Sequence, residues 1–118
     1  MLPGTDRAAA EVFFALADET RLSVLKRLGA GERSATALSA GARVSRQAIA
    51  KHLRVLEGAG LVAHRKRGRE VLYTLETGGL GEARAFLEAI SAAWDRAVER
   101  LRELVEEEPR RDQGKARG

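Results

Sequence analysis

Several residue types are scarce in this chain of 118 residues, and each shortage excludes a class of function. Cysteine is absent, which excludes disulfides, thiolate metal sites and thiol redox switches. There are only two histidines and no Gly-rich phosphate loop, so no catalytic or cofactor site is expected. No run of about 18 apolar residues would span a membrane, and the N-terminal stretch lacks the basic start of a secretory signal. We therefore expect a cytoplasmic protein that is not an enzyme.

Proline and aromatic residues are also few, with two prolines and 4% aromatic residues. Hydrophobic residues make up 44% of the chain and charged residues 32%, a balance that is typical of a soluble, helix-rich domain. The length suits one domain with a modest core.

The positive charge is concentrated in one block. Residues 43–69 contain eight Arg and Lys residues against one Glu, a net charge of +7 in a molecule whose total is +4, so the remainder sums to −3. A basic block inside a slightly acidic molecule indicates a polyanionic partner.

The stretch Val44–Gly60 predicts a helix, the recognition helix, at about 46–58. Ser45 is a good N-cap, and Gly60 suits the left-handed residue that follows a helix. The apolar positions recur at helical spacing and are expected to face a core. The opposite face has no carboxylate, which suits a DNA major groove but also an ordinary solvated helix face. Its residues are Arg46, Gln47, Ala50, Lys51 and Arg54.

Three further helices are predicted before this stretch. The first starts at Thr5 or Asp6 and ends at Ala17, and Asp18 caps the second. The second helix is expected to bury Leu22, Val24, Leu25 and Leu28. Ser34 caps a short third helix, which forms a helix-turn-helix pattern with the recognition helix. An αα-hairpin in a helical bundle has the same pattern.

A β-hairpin, the wing, is predicted next at about 61–75, with strands Leu61–Arg67 and Glu70–Leu75. Its tip carries four cations, which can straddle a phosphate backbone and reach a minor groove. A hairpin kept soluble by its charges is the alternative. The tip cations are Arg65, Lys66, Arg67 and Arg69.

A glycine-rich joint at 77–81 precedes one long predicted helix at about 82–108. Apolar residues four and three apart form a heptad seam along it, which favours pairing with a second copy over folding back on its own domain. Residues 109–118 are predicted to be a disordered basic tail. The predicted dimer interface comprises Val12, Phe13, Leu16, Phe86, Leu87, Ile90, Trp94, Ala97 and Leu101.

Three segments carry a family resemblance: FALADETRLSVLKRL, VSRQAIAKHLRVLEGAGLV and KRGREVLYTL. In this order they resemble the ArsR family of bacterial winged-helix repressors, over about residues 10–108. The resemblance implies an α+β winged helix-turn-helix fold, mainly α with a small β-hairpin, in the order α-α-α-α-β-β-α. It also implies a homodimer on a palindromic operator that represses transcription and is released by an inducer.

The chain departs from the metal-sensing members of that family. The segment Arg33–Thr36 lacks their cysteines, and the last helix contains no His. His52 matches a position usually occupied by His in the family, where it packs and contacts phosphate. We therefore predict a regulator without a metal or other cofactor. An unidentified small-molecule inducer between Phe13, Phe86, Ile90 and Trp94 is one alternative, and a fully packed core at the same place is the other.

The prediction is thus a sequence-specific DNA-binding repressor in the cytoplasm, associated with the nucleoid. Gln47, Ala50 and Lys51 are predicted to read bases. An alternative from another class is a protein-interaction module that uses the heptad helix and the basic hairpin without binding DNA. The predicted phosphate-binding residues are Ser45, Arg46, Arg54, Arg65, Lys66, Arg67 and Arg69.

Overall fold

The computed structural model describes residues 4–117, and the side chains of residues 6–106. It contains five helices and three strands in the described residues, in two compact units, Met1–Phe86 and Leu87–Gly118. The elements are α1 Gly4–Leu16, α2 Glu19–Gly29, β1 Arg33–Ser34, α3 Ala35–Ala40, α4 Arg46–Gly58, β2 Val62–Arg67, β3 Glu70–Leu75 and α5 Gly78–Arg117.

Three predicted helix starts are confirmed by their caps. The side chain of Asp18 accepts a hydrogen bond from the backbone N–H of Arg21 at 3.0 Å and begins α2. Ser34 and Ser45 cap α3 and α4 in the same way, each at 3.1 Å. These side chains satisfy amides that have no partner within their helix, which stabilises each helix by about 1 kcal/mol.

The recognition helix is held by its apolar face. Ile49, Leu53 and Leu56 are fully buried, as the spacing predicted, and Gly60 follows the helix with a left-handed φ of +75°. Burying such a side chain contributes about 1.5–3 kcal/mol, so this face fixes α4 against the core. The core around these residues includes Val12, Ala15, Val24, Leu28, Leu38, Leu61, Val62 and Ala83.

The buried stripe of α2 differs from the prediction at one position. Val24 and Leu28 are buried, but Leu22 is 45% exposed, so its predicted burial is wrong. Arg21, with 8% exposure, occupies the core-facing position instead. Residues 21, 24 and 28 lie on one helical face, whereas position 22 is rotated away from it.

The predicted hairpin is confirmed, and a short third strand extends it. The sheet order is β1-β3-β2 and both pairings are antiparallel. In β1, Arg33 lies opposite Tyr73 and Ser34 opposite Leu72. A strand of two residues has no readable alternation, so the sequence pattern did not reveal it. β1 fixes the start of α3 to the base of the wing.

The predicted glycine joint is wrong, because α5 begins at Gly78 and includes the glycines in its first turns. The N–H of Gly79 donates a 2.9 Å hydrogen bond to the carbonyl of Gly60. A Cβ atom at position 79 would overlap the carbonyl oxygen of Ala59. This glycine therefore permits close approach between two backbones at the base of the wing.

Replacing Gly79 with alanine should destabilise the protein by about 1–3 kcal/mol, because backbone atoms must move to admit the methyl group. Gly81→Ala is the matched control on the same helix, since a Cβ atom there meets nothing within 4 Å. The control should raise stability by up to about 1 kcal/mol through helix propensity. Urea unfolding of both variants tests this, and equal midpoints would contradict the close approach.

The second unit consists of the remainder of α5. Seven of its large apolar side chains are between 43% and 69% exposed in the single chain: Leu87, Ile90, Trp94, Val98, Leu101, Leu104 and Val105. α5 is assigned to Arg117, beyond its predicted end at about 108. No side chain is described in the predicted basic tail, 109–118, and its disorder stays a prediction.

Candidate nucleic-acid interface

The outer face of α4 is basic and accessible. Arg46, Gln47, Lys51 and Arg54 are exposed, and Ala50 is half-buried among them. The one carboxylate of the helix, Glu57, is turned to the wing, where its oxygens lie 2.8 and 2.9 Å from Nδ1 of His64. The face is therefore free of negative charge, which suits contact with a polyanion.

The first turn of α4 adds a further attraction for anions. Ser45 accepts from the backbone N–H of Ala48 through its hydroxyl oxygen and keeps its own O–H to donate. Arg46 and Gln47 lie in the same turn, where the helix dipole is positive. Amides, hydroxyl and cation thus converge at the end of the helix that phosphates prefer.

The wing is attached to the body through Arg65. Its Nε and Nη2 donate to the two carboxylate oxygens of Glu32, both at 2.7 Å. This bidentate hydrogen bond raises the pKa of Arg65 above its ordinary value and lowers that of Glu32. The structure therefore places Arg65 in an ion pair, unlike the other three cations of the predicted tip.

Lys66, Arg67 and Arg69 lie exposed around the turn of the wing. No hydrogen bond or ion pair is found for them among the described residues. Gly68 adopts a left-handed φ of +62° in the two-residue turn, a conformation that favours glycine. The three cations are thus displayed on a tight turn and remain available to an anion.

Recognition helix and wing meet at one concave surface. A cavity of about 300 Å³ is lined by Arg46 and Ala50 of α4, by Arg69, Tyr73 and one carboxylate, Glu70, of the wing, and by Thr36 of α3, among others. Two cations predicted from separate parts of the sequence therefore border the same depression. This arrangement allows one stretch of backbone phosphate to contact both elements.

Arg21 fixes α4 from behind, a role that the sequence pattern did not reveal. Its Nε donates to the carbonyl of Ala15 at 2.7 Å and its Nη2 to that of Phe14 at 3.1 Å. Nη1 lies 3.2 Å from Nδ1 of His52, which accepts because a guanidinium only donates. The cation thus connects the end of α1 to the recognition helix. The helical spacing could have indicated only that Arg21 faces the core, because positions 21, 24 and 28 share one helical face.

His52 therefore faces α2 rather than the exposed face of α4. Its Nδ1 is also 3.9 Å from the carboxylate of Asp18. The pKa of Asp18 is lowered chiefly by the backbone N–H of Arg21, and further by the Arg21 guanidinium. The group forms a polar connection between helices rather than a contact surface.

A second arginine positions α3. Arg27 donates from Nη1 to the carbonyl of Leu38 at 2.6 Å and from Nη2 to that of Ala37 at 2.9 Å. These carbonyls lie in the last turn of a six-residue helix, where no intrahelical donor is available. Arg27 thus ties α2 to the helix that supports the recognition helix.

Neither a metal-binding cluster nor a membrane-spanning helix is found in the described residues. Within the described part of the chain, no cluster of three or more His, Cys, Asp or Glu side chains could hold a metal ion. None of the described helices combines the length and apolar character that a membrane span requires.

Comparison with known proteins gives consistent matches. Residues 16–65, from the end of α1 to the wing, match a family model described as a helix-turn-helix domain. A transcriptional repressor named SmtB from Mycobacterium tuberculosis is 33% identical over 91 residues, which cover 77% of this chain and 66% of that protein.

Two solved structures share the architecture. An ArsR-like transcriptional regulator from a Rhodococcus species is 43% identical, with a TM-score of 0.77, and the match covers 86% of this chain and 96% of that one. A homodimeric winged helix-turn-helix DNA-binding domain from Mycobacterium bovis is 28% identical, with a TM-score of 0.58 and coverage of 77% and 82%.

Proposed function

Because the chain belongs to the ArsR family of winged helix-turn-helix transcriptional regulators, we propose that it is a sequence-specific DNA-binding repressor. It acts as a homodimer on a palindromic operator, in the cytoplasm and without a metal. The observation that carries this proposal is the exposed face of α4, which is basic, free of carboxylates and adjacent to the cations of the wing. The similarity to a repressor supports the direction of regulation.

The side chains in the early turns of α4 enter the major groove and contact the base edges. The amide of Gln47 pairs with the edge of an adenine, and Lys51 donates to a guanine. Ala50 leaves room for a thymine methyl group. All three lie on the exposed side of a helix whose opposite face is fully buried, so the protein core fixes their direction.

The cations around the base-reading residues bind phosphate. Arg46 and Arg54 flank them on α4, and Ser45 donates its hydroxyl at the start of the helix. At the wing, Lys66, Arg67 and Arg69 contact the backbone, while Arg65 acts mainly through Glu32 to hold the wing in place. These contacts give affinity and register rather than sequence preference.

The apolar face of α5 is proposed to pair with a second copy. Exposed apolar residues at heptad spacing are rarely left uncovered on so small a protein, and a related domain is homodimeric. Phe13, Leu16 and Phe86 are half-buried in the first unit and are proposed to contribute to the same dimer. Val12 is 1% exposed and fills the core of its own chain, so we leave it out of the interface.

Two recognition helices in a dimer read half-sites about 34–36 Å apart, one turn of DNA. A dimer at this site covers DNA that RNA polymerase needs, which gives repression. An inducer remains part of the proposal. The rings of Phe13 and Phe86 are in edge-to-face contact at 5.8 Å, which favours a packed core over a ligand between these two residues.

Selection of bound fragments from genomic DNA, followed by a gel shift, tests the proposal. The selected duplex should be retarded far more strongly than random duplex. If the dimer neutralises about 6–10 phosphates, affinity should fall about 10³–10⁵-fold between about 50 and 200 mM salt. A protein-interaction module would retard neither duplex, and that result would overturn the proposal.

A further inference from the structure

A second concave surface lies away from the basic face, where α2, the end of β3 and the first turns of α5 meet. It encloses about 470 Å³, within the range of small-molecule sites. All of its lining residues belong to the first unit, so the walls of the cavity are held within one compact unit. They are Leu22, Leu25, Lys26, Leu61, Leu75, Glu76, Thr77 and Leu80.

The walls of this cavity, which we name the leucine cavity, are formed by five leucines. Leu22, Leu75 and Leu80 are 45%, 46% and 47% exposed, and they come from three different elements. They are three of the four large apolar side chains that are exposed in the described part of the first unit, the other being Phe14. Apolar surface collected in one depression is typical of a ligand site rather than of scattered surface residues.

Two charged side chains line the leucine cavity, Lys26 and Glu76. Oε1 of Glu76 accepts from the backbone N–H groups of Thr77 at 2.9 Å and Gly78 at 3.4 Å, so this carboxylate is held at the start of α5. No hydrogen bond or ion pair is found for Lys26 among the described residues. A cation beside an apolar cavity favours a ligand with an anionic head and an apolar tail.

We propose that the leucine cavity binds a medium-chain carboxylate, with the alkyl tail among the leucines and the carboxylate at Lys26. The site is separate from the DNA-reading residues and its occupancy does not require DNA. Its occupant contacts α2, the base of the wing and the start of α5 together. Binding can therefore be measured on the protein alone, and its failure would leave the proposed DNA function untouched.

Titration calorimetry of the full chain with hexanoate, octanoate and decanoate tests the proposal. Each methylene that becomes buried should lower the Kd about fourfold, so each step of two methylenes should lower it about fifteenfold until the cavity is full. Octylamine should bind at least tenfold more weakly than octanoate, because its cation meets Lys26. Equal affinities for the acid and the amine would overturn the assignment of Lys26.

Two pairs of variants locate the binding. Lys26→Gln should weaken octanoate at least fivefold, whereas Lys66→Gln, which removes an equal charge at the wing, should not. Leu22→Trp should narrow the cavity and weaken octanoate binding at least tenfold, whereas Ser23→Trp, at an exposed neighbour that does not line it, should bind octanoate normally. Circular dichroism and sedimentation confirm the fold and the mass of each variant.

Three outcomes would overturn the proposal. The first is unchanged octanoate binding in Leu22→Trp, which would place the acid on another apolar surface such as that of α5. The second is equal weakening by both lysine variants, which would indicate a non-specific charge effect. The third combines two results: the wild type binds none of the acids, and replacing Leu22 converts the protein into a monomer. Together they would show that a second copy covers the leucine cavity.

Discussion

Trp94→Asp should convert the proposed dimer into a monomer and lower operator affinity by about 10³-fold or more. Trp94 is 69% exposed, so the substitution costs the single chain little. In a dimer the same position lies in an apolar seam, where an unpaired carboxylate loses water without gaining a partner. A monomer reads one half-site, and its affinity approaches that of non-specific binding.

Ala92→Asp is the matched control, because it introduces the same carboxylate on the opposite, polar side of α5. Sedimentation equilibrium should give the mass of one chain for Trp94→Asp and of two chains for both Ala92→Asp and the wild type. In gel shifts on an operator with both half-sites, the dimeric proteins should bind tightly and the monomer weakly. A dimeric Trp94→Asp variant that still binds the operator would remove this part of α5 from the interface.

The elements that local chemistry determines could be predicted from the sequence. Ser45 begins the recognition helix and Gly60 follows it in the left-handed region, each for a reason that concerns only its own neighbourhood. The face of α4 that meets the core followed from helical spacing alone. Since the opposite face is then exposed by geometry, the location of the candidate site was predictable too.

The contacts between distant residues were not predictable in the same way. Glu32 and Arg65 are 33 positions apart and meet only because β1 and β2 flank β3 in the sheet. Arg21 was overlooked because a cation in an apolar stripe is read as a break in the pattern, although its donors here are satisfied by two carbonyls and a histidine. In both cases the partner is set by topology.

The role of Gly79 could not be predicted from the sequence for a related reason. Glycine near other glycines indicates a loop when only local preference is considered. Here the glycine sits inside a helix because another backbone approaches it, and the approaching residue is 19 positions earlier in the chain. A prediction of this kind needs the packing of α5 against the turn after α4, which no local pattern contains.

Lys51→Ala should weaken binding to the operator by about 1–3 kcal/mol at each half-site and relax the preference at one base pair. Lys51 is exposed on the face of α4 that is proposed to enter the major groove, and nothing in the described structure competes for its ammonium group. The measurement is a gel-shift series on the selected operator and on duplexes with single base substitutions. Affinity for random duplex should change far less.

Arg67→Ala is the comparison that separates base recognition from phosphate binding. It removes a cation of equal charge from the exposed wing, which the proposal assigns to phosphates and not to base edges. Affinity should therefore fall evenly on operator and random duplex, and the slope of log affinity against log salt should decrease by about one for each phosphate that is no longer neutralised. If Lys51→Ala behaved in this same uniform way, Lys51 would be a phosphate ligand and the reading of bases would rest on Gln47 and Ala50.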